Sequence, residues 1–114
     1  MLIIRQAQIT LFQQLALRQF EDRVIAHLQA SFPDMLADLG EAGTRALVGD
    51  ATRHAQQYGF ETERDITLFI DLALVLGPQF DELPWAAEIL HDKFILDPTV
   101  RIDTLYECAL QHGE

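Results

Sequence analysis

The chain has 114 residues, 49% hydrophobic and 23% charged, with a single cysteine and a formal net charge of −10. That length is one domain's worth, predicted as a single helical domain over 1–114, and it buries well over half of its unfolded surface without metals. The apolar content excludes the disordered class, one cysteine allows no internal disulfide, and Met1 to Ile9 is no secretory leader, so a reducing cytoplasm is the expected compartment.

From Gln6 to Ser31 neither Gly nor Pro intervenes, and Phe12, Ala16, Phe20, Val24 and Leu28 recur every fourth residue. The spacing predicts a helix of about seven turns, with Met1 to Ile4 either a strand-like arm before it or its first residues. Phe32-Pro33 ends the helix, because proline lacks the N–H of the ladder and disfavours the α region before it. A short helix from Pro33 to Leu39, closed by Gly40, precedes a longer one over Glu41 to Tyr58. Its expected inner side is Ala46, Leu47, Ala51, Ala55 and Tyr58, and Gly49 is the expected crossing point with the next helix.

Gly59 terminates that helix, and Thr62 is placed to cap the next, with Asp65 three residues on. Between Ile66 and Leu76 only Thr67 and Asp71 are polar, so this helix, about 62–76, is predicted to be the buried central post of the bundle. It is too short for the roughly 20 residues of a membrane span. Gly77-Pro78 stops it, Pro84 starts a short helix over Trp85 to His91, and Asp97-Pro98 starts the last, with Val100, Leu105, Ala109 and Tyr106 inward. No alternating pattern of useful length appears. The predicted fold is all-α, a compact bundle of five or six helices around the apolar post.

Charge is divided unevenly. Residues 1–60 hold six acids and five bases, whereas residues 61–114 hold twelve acids and three bases. Such a surface disfavours phosphate backbones, which Lys and Arg must neutralise, and suits a basic protein partner. A helix-turn-helix reading of Tyr58 to Asp65 fails because its second helix is the apolar post, so no nucleic acid is expected.

Candidate chemistry is sparse. Glu88 and His91 have the Glu-x-x-His spacing of carboxylate-bridged metal bundles, but no second copy exists; Asp50 and His54, at i and i+4, could add two ligands, though nothing places them near Glu88. No metal or cofactor is expected, and a small metal-dependent or hydrolytic enzyme centred on Glu88, His91 and Asp71 is the alternative. Asp71, a carboxylate in the apolar post, must be paired or neutral; a wet face or pairing with Arg18 or Arg23 is expected. Cys108 reads as a small core residue rather than a nucleophile, since its surroundings are acidic. Phe80, Leu83 and Trp85 in an acid-flanked loop either form a partner-binding patch or fold back to plug the bundle. The expected interaction residues are Phe80, Asp81, Glu82, Leu83, Trp85 and Glu88.

Phe32-Pro33, Ala55-x-x-Tyr58-Gly59-Phe60-x-x-Glu63-x-Asp65, Leu76-Gly77-x-x-Phe80-Asp81 and Pro84-Trp85 with Leu90 together resemble a family of small acidic helical proteins. These are encoded in bacterial type VI secretion clusters beside spike-tip PAAR proteins and toxic effectors. The resemblance covers about Gln6 to Leu105 and implies a non-enzymatic accessory. Its partner would be an effector, a PAAR protein or a chaperone. It would act as a co-chaperone or adaptor in effector loading, or as an immunity protein that covers a toxin's active site.

Overall fold

The computed structural model describes the backbone of residues 2–112 and the side-chain surroundings of residues 13–111. Five α-helices follow in order: α1 (Leu2–Ser31), α2 (Pro33–Gln57), α3 (Glu63–Leu76), α4 (Pro84–Leu90) and α5 (Pro98–His112), with a 3-10 turn at Phe80–Glu82. Among the described residues there is no strand, as the missing alternation predicts. Leu2 to Ile4 belong to α1 and form no separate arm, whereas Phe12, the first residue of the every-fourth-residue series, lies outside the described side chains.

Chain punctuation falls where local chemistry puts it. Pro33, Pro84 and Pro98 each open a helix, where a missing N–H is not needed. Gly40 breaks α2 with φ 74° and ψ 173°, so Pro33 to Leu39 and Glu41 onward are two helical pieces set at an angle. Gly77 closes α3 at φ 109°, a region that would strain any side chain. Thr62 caps α3 by accepting from the Asp65 N–H at 3.1 Å, and Asp97 caps α5 by accepting from the Thr99 N–H at 2.9 Å.

Helix α3 is the post. It packs against α1, α2, α5 and the 3-10 turn, and Ile66, Phe69, Ile70, Leu72 and Ala73 are buried on it. Phe69 stands at the centre of an aromatic cluster: Phe80 at 4.8 Å, Phe60 at 5.8 Å and Tyr58 at 6.0 Å between ring centroids. The segments that flank α3 in sequence therefore fold back onto its middle. Arg23 of α1 binds Glu63 and His27 of α1 binds Asp71, so α1 and α3 run in the same direction with α2 returning between them.

Four expectations are corrected. On α2 the buried set is Leu36, Thr44, Val48, Ala51, Thr52 and Ala55, while Ala46 is exposed. The two threonines hide their polarity internally, Thr44 Oγ1 donating to the Gly40 carbonyl and Thr52 Oγ1 to that of Val48. Gly49 faces Glu21 of α1, at an ordinary 3.6 Å from where a Cβ would stand, and is no crossing point with the post. On α5, Ile102, Leu105 and Ala109 are buried but Val100 is exposed; Cys108 is half-buried. Along the described part of α1 the first buried residue is Phe20, and Ala16 is exposed.

Candidate interaction surface

Of the six residues expected to bind a partner, Phe80 is spent on folding. It is 1% exposed and packs on Phe69, so the plug reading holds for it and it offers nothing to a partner. Asp81 is half-buried, and its carboxylate accepts from the Tyr58 hydroxyl at 2.8 Å, fastening the 3-10 turn to the end of α2. Burial, with the Asp81 bond second, pushes the Tyr58 phenol up to about 12. Trp85 is half-buried and packs against the core, whereas Glu82, Leu83 and Glu88 are exposed. The loop is thus divided, with its first aromatic inward and its acids and Leu83 outward.

A more prominent apolar pair lies in the next loop, at positions the aromatic and acidic pattern passes over. Between α4 and α5, Phe94 and Leu96 are 86% and 85% exposed. Solitary exposed apolar residues are ordinary, but here two large ones stand on one short loop flanked by Asp92 and Asp97, an exposed apolar patch bordered by acids.

The loop is held from beneath. The Phe94 N–H donates to Asp92 Oδ1 at 2.9 Å, and the Ile95 N–H donates to the Asp92 carbonyl at 3.3 Å. Arg101, in the first turn of α5, reaches back so that Nη2 donates to the Asp92 carbonyl at 3.2 Å and also to the Ile95 carbonyl. Its Nε is buried with no hydrogen-bond partner. A guanidinium is accordingly committed to main-chain oxygens, which fixes the loop's path.

Of the other cations in the acidic half, Arg64 binds Asp65 at 3.0 Å and Asp103 at 2.8 Å, and Lys93 is exposed. Asp65 itself is buried at the start of α3, where it also accepts from Thr99 Oγ1 at 2.9 Å. The capping-box position therefore carries a tie between α3 and α5, not only a local cap.

The metal-site candidates are dispersed. His91 stacks edge-on to Tyr58 at 5.8 Å, Glu88 is exposed, and Asp50 pairs with Arg53. Among the described residues no group of three or more His, Cys, Asp or Glu side chains could hold a metal ion. Asp71 is paired, but with an imidazole and not with Arg18 or Arg23. Its Oδ1 accepts from His27 Nε2 at 3.0 Å, while Arg23, one turn earlier, is taken by Glu63. Burial pushes the Asp71 carboxyl above its ordinary 3.8, against the opposing pull of His27.

No described helix is long and apolar enough to cross a membrane. Comparison of the chain with known protein families, with curated proteins and with solved structures finds no match.

Proposed function

We propose that this chain is a non-enzymatic protein-interaction module whose acidic second half takes a basic, apolar-faced protein partner. The observation that carries the reading is the presentation of Phe94 and Leu96 on a loop held by Arg101. Leu83, Glu82 and Glu88 extend the exposed apolar and acidic character along the same half of the chain. Large apolar anchors in an acidic setting give affinity through desolvation and select the partner's sign of charge. The motif resemblance names the biological setting: a type VI secretion accessory that serves as co-chaperone or adaptor for an effector, its chaperone or a PAAR protein in the cytoplasm.

The test is co-expression with the product of each flanking gene, using the wild type and the Phe94→Ser/Leu96→Ser double variant. One neighbour is expected to co-purify in a stoichiometric complex that the double variant loses. Growth rescue against that neighbour, if it is toxic, would assign the immunity role instead. Binding by no neighbour, together with a stoichiometric transition metal in the purified protein, would overturn the interaction reading in favour of an enzyme.

A further inference from the structure

Asp71 has acceptor capacity that the fold does not use. Both of its oxygens lie on one imidazole nitrogen, Oδ1 at 3.0 Å and Oδ2 at 3.3 Å from His27 Nε2. A carboxylate has about four lone-pair sites, and a buried one left under-satisfied is expensive. Asp71 also stands in the wall of a cleft of about 360 Å³ between the Phe32 corner, α3 and α5.

The rest of that cleft is apolar apart from one hydroxyl. Phe32, Leu72, Leu76 and Ala109 form the walls, exposed Val75 and Leu110 the mouth, and Tyr106 shares the wall with Asp71. The carboxylate and the phenol share one neighbourhood: burial, and secondarily the Asp71 charge, pushes the Tyr106 hydroxyl upward.

We infer that this cleft is a receptor for a single aliphatic cation, the side chain of a lysine presented by a protein partner. The shape argues for an apolar stem and the lone acid for one positive end. Lysine fits better than arginine, because both Asp71 oxygens already face His27 Nε2 and leave no free edge for a two-pronged guanidinium. An ammonium, a compact point charge with three donors, needs only the unused lone pairs. The acidity of the second half draws a basic partner to the mouth. That the lysine belongs to a protein rests on the interaction reading above; the end-group chemistry does not.

The isolated protein tests it by NMR titration with n-pentylammonium, n-pentanol, n-pentanoate and a lysine blocked at both backbone ends. Pentylammonium and the blocked lysine are expected to saturate the same resonances around Asp71, His27, Tyr106 and Leu110. Pentanol and pentanoate should bind at least about tenfold more weakly, and Asp71→Asn should lower the ammonium affinity by a similar factor. If Asp71→Asn does not fold, the comparison of end groups on the wild type decides. Equal binding of pentanol, undiminished binding by folded Asp71→Asn, or no response to any amine would overturn the cation site. Pentylammonium bound without the blocked lysine would overturn the lysine as occupant. None of these outcomes depends on Phe94 or Leu96, so the cleft and the interaction reading fail separately.

Discussion

Tyr58 donates its hydroxyl to Asp81 beside the middle of α3, a 2.8 Å bond that joins residues 23 positions apart in sequence. It closes the same corner that Phe60, Phe69 and Phe80 fill with ring contacts. Tyr58→Phe should lower unfolding free energy by about 1 kcal/mol, and Phe80→Ala by about 3–5 kcal/mol, because only the second leaves a cavity. Urea denaturation of the two variants separates these magnitudes.

The two phenols have a spectroscopic signature. The chain has two tyrosines, and both phenols are shifted upward, Tyr58 to about 12 and Tyr106 in the same direction. The folded protein should therefore form little phenolate at the ordinary value of 10.0, whereas the urea-unfolded chain ionises there. Because the folded state keeps protons that the unfolded state has released, stability falls as pH rises from 10 toward 12. Ultraviolet absorbance titration in both states checks both statements.

Asp71 makes a prediction at the acid end. Its folded-state carboxyl is raised above 3.8, so the folded state holds the extra proton in the window between 3.8 and that raised value. Stability at this site falls as pH rises through the window and recovers as pH is lowered through it. Asp71→Asn should remove that contribution to the slope. Denaturation midpoints should fall less, or rise more, with increasing pH in the variant than in wild type, and identical slopes would contradict the burial argument.

Among the described residues Asp65 is the other buried carboxylate. It accepts from Thr99 Oγ1 at 2.9 Å and Arg64 Nη1 at 3.0 Å, so it has partners on two sides. Asp65→Ala should destabilise by about 3 kcal/mol, since it removes a buried acceptor and strands its donors. Thr99→Val should take about 1 kcal/mol, and a double-mutant cycle should show the two changes to be coupled.

Phe94 and Leu96 should be thermodynamically silent in the free protein. Phe94→Ser/Leu96→Ser should leave the unfolding free energy within about 0.5 kcal/mol of wild type, because neither side chain is buried. Thermal melting and denaturant titration measure this directly. It is also the control that makes loss of partner binding in that variant interpretable.

What the sequence made legible was chiefly punctuation. Gly40, Gly59 and Gly77 all take positive φ, and Thr62 and Asp97 cap the helices they precede, because these outcomes depend on a few adjacent residues. The facing of α2 was harder to read: Thr44 and Thr52 count as polar in a hydrophobic pattern yet bury their hydroxyls on carbonyls one turn back. The partner of Asp71 depends on the offset between α1 and α3, which no single-helix periodicity contains, and Arg23 and His27 sit one turn apart on the same stripe. Phe94-Ile95-Leu96 looks like any short apolar run. Its exposure follows from the course Arg101 imposes on the loop, a contact between residues in different elements.

The clamp made by Arg101 bears on the thermodynamics of association as well as on shape. A loop whose carbonyls are already held by a guanidinium has surrendered most of its conformational entropy during folding. Docking then requires little further ordering, so more of the free energy of covering Phe94 and Leu96 appears as affinity. Replacing Arg101 by methionine would transfer that ordering cost to the binding step, and calorimetry would record it as a less favourable entropy with the two apolar anchors unchanged.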